Sequence, residues 1–453
     1  MAVRKILMAL PLILAPLAAW PIYVGMQVEQ AIQQPQSEQV GEFWIQHVPQ
    51  HYERTHYRAD AGSFLEVRHG DIEVRLQLEH RVRHRILGAE LETRLVDVQV
   101  NEEAPPGLHE ALIRAQPNAE SWVGLGGGVN VRLRTRPFSL QWPMDAGEMD
   151  PVRILDLADG RGGLAYTRER IVLSFDTPRI SISDGVRVME VDGAHYGLLV
   201  HPGSGGDYVR LPDYDLSLGA EQVRLREGEI ERLAMRSPWV AAWQNSAHER
   251  LDSVFRLKVG AIDAPPLSLQ AIDVHLSALR LNRQALLTLM HELEGLRLED
   301  VPPEARSGLV WGIAFETLKN MAAGDPLFQA GLHLNPDSGR RLSVAADLGL
   351  KNDRELLDTR PLEAIVLGLE IETGREAMAE LESLFLASGL LEEGAVEVFQ
   401  QWLEHALSEG WVLESSEGLR THLRLEGGRL YINGEDRTLL WLATVFAIGG
   451  GMF

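Results

Sequence analysis

The sequence predicts an α+β fold dominated by β structure. It would hold a large curved antiparallel sheet, or sheets, with a few packed helices in the C-terminal half and one N-terminal transmembrane helix in front. Three observations predict this. Residues 72–85 alternate apolar and polar side chains over a long run. Helix caps and helix-spaced apolar stripes collect after residue 280. Residues 6–26 carry no charge.

The uncharged run comes first in the chain. Its 21 residues, Ile6 to Met26, would span about 31 Å as a helix at ~1.5 Å per residue, close to the ~30 Å hydrocarbon core. A cleavable signal has an apolar stretch of only ~7–15 residues and small residues at the cut. Here Ala18 and Ala19 are small, but Pro16 and Leu17 stand two positions before them. Ile6, Leu10 and Leu14 lie in the apolar body. Trp20 and Tyr23 stand near its outer end, as belt residues do. Pro11, Pro16 and Pro21 would weaken a soluble helix but are tolerated in a membrane as kinks. An uncleaved anchor is expected, with the lipid bilayer as its partner. Arg4 and Lys5 precede the span, and the next basic residue is Arg54. The positive-inside rule then puts the N-terminus in the cytoplasm, and the bulk of a single-pass inner-membrane protein in the periplasm. There is no cysteine, so neither a disulfide framework nor a Cys-based metal site exists.

The formal charge of −22 argues against nucleic acid as a partner and against docking on anionic headgroups through a basic patch. Apolar residues make up 45% of the chain and charged ones 24%, which is the balance of a globular protein rather than a disordered one.

Residues 1–33 are assigned to the anchor and its exit, 34–215 to a mainly antiparallel β region, and 216–453 to a region of ββα units with an apolar tail. In "DIEVRLQLEHRVRHRIL", Ile72, Val74, Leu76, Leu78, His80, Val82 and His84 share one face, while Glu73, Arg75 and the alternate residues share the other. Such a period of two marks a half-buried antiparallel strand. "VNVRLRTRPFSLQW", "RERIVLSF", "RISISDGVRVMEV" and "AEQVRLREGEIERLAM" continue the pattern between Gly, Asp and Pro turns. Helices are predicted near 284–297, 304–322, 375–388 and 392–407. Asn282 can cap the first, with Leu286, Leu289 and Met290 on one side. Pro303 suits the start of the second, and Gly324 with Pro326 its stop. Thr373 and Glu376 form a capping box for the third. Val396, Phe399, Leu403 and Leu407 form the inward stripe of the fourth. A hairpin is predicted about Gly427–Gly428. "FRLKVG…PLSLQAIDVHLSALRLNRQALLTL" and "LSVAADLGL…PLEAIVLGLEIETGREAMAEL" share the order strand, loop, longer strand, cap, helix, which suggests an internal ββα duplication.

"YVGMQVE" at 23–29, "THYRADAGSF", "GDPLFQAGLHLNPDSGRRLSVAADLGL" and "EGLRTHLRLEGGRLYINGED" are similar to segments of the YdgA/YihF family of bacterial envelope proteins, a domain of unknown function. They match its membrane exit, a loop segment, a strand pair and a closing strand pair. The resemblance implies a membrane-anchored envelope protein and brings no site residues with it.

Direct searches for chemistry give little. Six of the histidines fall between His47 and His84. His80 and His84 would lie roughly 13 Å apart on one strand at ~3.3 Å per residue, too far to share an ion, so an ordinary strand-edge role is expected. His291-Glu292 and His109-Glu110 lack the second His of a zinc-helix motif. "GLGGGVN" at 124–130 runs into a strand rather than a helix, so it is no phosphate loop. In "HPGSGGD", Pro202 stands where a nucleophile elbow needs its first glycine. No catalytic, cofactor-binding or metal-ligating residue is assigned, and no enzyme or cofactor is expected. The tail from Leu439 to Phe453, with Trp441, Leu442, Val445 and Phe446, is apolar but too short to span a bilayer. It is expected to dock on the protein.

Two function classes remain. In one, the curved sheet binds an apolar ligand such as a lipid. In the other, the same sheet serves as a structural or adaptor surface for another envelope protein. The first needs a continuous apolar channel, the second an exposed edge or patch over a closed core.

Overall fold

The structure is a computed structural model. It describes residues 26–439 except 27, 31, 41–42, 56, 86–87, 106, 125–126, 144–151, 168, 202–211, 248, 266, 296–312, 314–315, 318, 337–341, 375–392 and 417. In chain order the first elements are β1 (Gln36–Val40), β2 (Phe43–Arg54), β3 (Arg58–His69), β4 (Ile72–Arg85), β5 (Gly88–Val100), α1 (Leu108–Ala115), β6 (Asn118–Gly124), β7 (Val129–Thr135), β8 (Phe138–Pro143), β9 (Val152–Leu157), β10 (Gly160–Tyr166), β11 (Ile171–Ser183), β12 (Arg187–His201), β13 (Asp213–Gly219) and β14 (Gln222–Glu227). Then follow β15 (Ile230–Arg236), β16 (Trp239–Ala247), β17 (Arg250–Val259), β18 (Ala261–Ala264), β19 (Leu267–Asn282), α2 (Arg283–Gly295), β20 (Leu327–Pro336), β21 (Leu342–Leu350), α3 (Arg354–Thr359), α4 (Pro361–Ala364), β22 (Ile365–Thr373), α5 (Glu393–Ser408), β23 (Leu413–Ser415), β24 (Gly418–Glu426), β25 (Arg429–Ile432) and β26 (Glu435–Asp436). Strands dominate, their pairings are antiparallel, and helices are few, as the alternation predicts. Among the described residues no helix is long and apolar enough to cross a membrane. Residues 6–25 of the expected anchor lie outside those described.

The chain forms two compact units, one of residues 1–200 with 220–230 and one of 201–219 with 231–453. In the first, β1 to β7 pair in succession, β7 pairs β10, and the ladder continues through β11 and β12 to β14. β11 also holds β9 along its second half, and β9 holds β8. Burial in β4 alternates strictly from Glu79 to Arg85, with His80, Val82 and His84 buried and their neighbours exposed. That apolar face has a lid. Helical residues 28–30 and 32–33 bring Val28 against Ala59, Val82 and Ala89, with Ile32, Tyr52 and Leu91 around them. The alanines leave room for the helix, and Glu29 pairs with Arg54 at 3.1 Å.

His80 is not at an edge, because β3 and β5 flank its strand. Its Nε2 lies 2.8 Å from Ser63 Oγ and its Nδ1 2.9 Å from Thr93 Oγ1. Burial, then the nearby His47 and His51, push its pKa down to about 4. The neutral imidazole can donate from one nitrogen and accept at the other, so the bridge ties three strands together.

α1 was not predicted. Gly107 precedes it in the left-handed conformation with no side-chain cap, so no Ser, Thr or Asp marks its start. β6 ends at Gly124 and β7 begins at Val129, with Gly124 N donating to Gly128 O at 2.8 Å.

In the second unit, β13, β16, β17, β19, β20, β21, β22, β24 and β25 pair in that order. Asn282 caps α2, its Oδ1 accepting from Ala285 N at 3.0 Å. Among the described residues of that helix Arg283, Ala285 and Leu287 are buried, and the expected Leu286, Leu289 and Met290 are only partly so. Residues 319–322 are helical within the expected 304–322. The expected helix at 375–388 and most of the one at 304–322 lie outside the described residues. α5 matches the fourth prediction, and Leu403 and Leu407 pack around Ala406, Val412 and Leu419. The hairpin at Gly427–Gly428 joins β24 to β25, both glycines at positive φ. Both expected ββ pairs form, β17 with β19 and β21 with β22, but β18 fills the first connection and α3 with α4 the second.

Candidate functional site: an apolar sheet face

The register of the second unit aligns side chains across strands far apart in sequence. Leu216 lies opposite Ala242, then Phe255, Leu276, Ala330, Ala346, Leu369, Leu423 and Ile432 in turn. This row crosses nine strands without a polar residue. On one side Val240, Leu257, Val274, Leu332, Val344 and Ile371 form a second apolar row. On the other, Ala278, Phe328, Leu348, Leu367, Leu425 and Leu430 form a third. Eight inter-strand steps at ~4.8 Å make a strip about 38 Å long, and two pairs of residues at ~3.3 Å each make it about 13 Å wide.

The reverse face is mostly polar, with Trp243 and Val254 as apolar exceptions. Arg256 grips Asp273 through Nε at 3.0 Å and Nη2 at 2.6 Å, which holds the Asp273 carboxyl below its usual range despite some burial. Ser343 Oγ and His333 Nδ1 are 2.9 Å apart, and Arg420 pairs with Glu370 and Glu372. The two faces therefore differ in kind. The polar one is finished by its own ion pairs.

Among the described residues Leu425 and Leu430, at one end of the third row, are buried, but the rest of the apolar face stays partly exposed. Leu276 is 48% exposed, Leu218 42%, Phe255 38% and Leu348 36%, and no residue of the nine-strand row is buried. Of the clusters of buried apolar residues among those described, one lies in the first unit, and two, which hold Leu350 and Leu419, lie just beyond the strip's long edges. Above the strip is a hollow of about 540 Å³, lined by Phe255, Leu276, Phe328, Leu348 and Leu367 among others. That volume lies within the ~300–1,000 Å³ of small-molecule pockets. Each large side chain withdrawn from water there would gain roughly 1.5–3 kcal/mol.

Of the sequence-predicted residues, Ile6, Leu10, Leu14, Trp20 and Tyr23 lie outside those described, as do Trp441, Leu442, Val445 and Phe446. Leu439, where the tail begins, is 85% exposed. His84 is buried with neither ring nitrogen hydrogen-bonded, and burial with the nearby Arg54 lowers its pKa. Among the described residues no group of three or more His, Asp or Glu side chains is placed to hold a metal ion.

A family model described as bacterial protein of unknown function (DUF945) matches residues 3–439. The chain belongs to this family. Neither curated proteins nor solved structures gave a match. In this DUF945 protein the residues of the strip were missed individually because each looks like ordinary strand alternation. The signal was present in "FRLKV", "HLSALRL", "LFQAGLHL" and "IVLGLEI", but only register shows that their apolar faces coincide.

Proposed function

We propose that this DUF945 protein is a membrane-anchored envelope protein of the YdgA/YihF type that binds an acyl chain on the apolar face of its second unit. The carrying observation is the nine-strand apolar row, whose large side chains remain partly exposed. Soluble monomers seldom expose apolar patches beyond a few hundred Å² unless something binds them. Half of a ~30 Å hydrocarbon core, about 15 Å, is the reach of one acyl chain, and the strip exceeds it. A sheet of this many strands twists and coils, and coiling toward the apolar face would narrow the approach of water. The uncharged run 6–26 supports an uncleaved inner-membrane anchor with the bulk of the chain in the periplasm. No catalysis is proposed.

The test is photocrosslinking of the full chain, in mild detergent, with a diazirine-bearing fatty acid, followed by peptide mapping. Adducts are expected on β17, β19, β20 and β21. Labelling confined to residues 1–26 would overturn the proposal. A protein partner bound to the same strands, with no adduct there, would favour the adaptor role instead.

A further inference from the structure

The first unit holds a second candidate site, of opposite character. β7 and β8 are one strand broken at Arg136–Pro137, and β9 and β10 one strand broken at Ala158–Asp159. At the break Arg136 N donates to Ala115 O at 2.7 Å, at the end of α1, and Leu95 N donates to Pro117 O at 3.3 Å. The sheet opens there into a groove of about 900 Å³.

Four arginines line it: Arg94, Arg134, Arg136 and Arg161. Three share one row of the sheet. Arg94 lies opposite Asn118, Asn118 opposite Arg134, and Arg134 directly opposite Arg161. Like charges facing each other across a strand pair repel and weaken the pairing. Arg94 is paired with Glu92. Among the described residues no carboxylate pairs with Arg134, Arg136 or Arg161, and the groove's only acidic lining residue is Asp159. Asp176 of β11 lies opposite Arg161 on its other side without an ion pair between them, so four guanidinium groups against the carboxylates of Glu92, Asp159 and Asp176 leave one net positive charge, in a chain whose total is −22. The carbonyl at the end of α1 is engaged by the Arg136 backbone, so it does not explain the guanidinium groups. Asn118 adds a buried Oδ1 with no hydrogen-bond partner.

We propose that this groove binds a phosphate monoester. A dianion between Arg134 and Arg161 would turn a repulsive pair into two charge-assisted contacts, and the planar fork of arginine matches phosphate oxygens two at a time. The volume far exceeds a bare phosphate and holds the group that carries it, whose hydroxyl could donate to Asn118. The chemistry is shared by a soluble sugar phosphate and a phosphorylated lipid headgroup.

The test is calorimetric titration of the full chain in detergent with glucose 6-phosphate, water-soluble dihexanoylphosphatidate and, as control, glucose. Binding of either phosphate, weakened by added salt, is expected, and glucose should not bind. Glucose 6-phosphate alone would identify a soluble source, and the phosphatidate alone a lipid headgroup. The double variant Arg134→Gln/Arg161→Gln should weaken binding roughly tenfold or more without lowering the melting temperature, because it relieves repulsion. Arg132→Gln, on the same strand outside the groove, should change neither. Absence of binding by both phosphates, or equal binding by the double variant, would overturn the proposal. A double variant that loses binding only because it melts much earlier would overturn it too, since the arginines would then be structural.

Discussion

Phe255 of β17 stands directly opposite Leu276 of β19, and both present more than a third of their surface to water. A charge at Leu276 should therefore be tolerated by the fold and not by an apolar ligand. Leu276→Glu is expected to shift stability by no more than about 0.5 kcal/mol, as ordinary surface changes do, and to reduce binding of an apolar fluorescent dye severalfold. Leu251→Ala, at a position only 2% exposed, is the contrast: it should cost about 2–5 kcal/mol and leave dye binding intact in the folded fraction. Urea titration and dye fluorescence read both. Equal dye binding by wild type and Leu276→Glu would count against the strip.

The tail supplies a second prediction. Deleting residues 440–453 should leave a folded protein that binds the dye more strongly, if the tail shields part of the apolar face. A loss of melting temperature with no gain in dye signal would mean that the tail completes a closed core.

His80 predicts a pH dependence. Its folded pKa, about 4, lies below the ordinary 6.5, so the unfolded chain binds the proton more readily. The stability contributed by the neutral imidazole is complete above pH 6.5 and is lost as the pH falls from 6.5 through 4. With partial screening the loss is about 2–3 kcal/mol, and His84, also lowered by burial, adds in the same direction. Denaturant unfolding at several pH values should show this slope, and His80→Gln should flatten it. A variant as steep as wild type would assign the slope to other groups.

Val28→Asp should place an unpaired charge among Ala59, Val82 and Ala89, at a cost of several kcal/mol. Limited proteolysis should then cut near residues 27–35, while wild type resists there. Cutting at the same rate in both would mean that the helix is not seated on the sheet in solution.

The local rules were readable from sequence. The alternation at 79–85, the Asn282 cap and the Gly427–Gly428 turn are each written in a few adjacent residues, and each forms. α1 was not readable, because Pro105, Pro106 and Gly107 announce a turn and no side chain caps the helix. His80 could be placed on its strand face but not in its bridge, since Ser63 and Thr93 come from neighbouring strands. Both candidate sites were hidden for the same reason. Leu216 and Ile432, or Arg94 and Arg161, come into one row only through a series of strand registers, each set by packing and turn geometry that no single segment carries.

The seating of Val28 also has a mechanical consequence. Only one residue separates it from Met26, where the uncharged run ends, and it is already fixed in the core of the first unit. Tension applied at the N-terminus would meet the first unit at this contact. It would be shared at once among β3, β4 and β5, the three strands that carry Ala59, Val82 and Ala89.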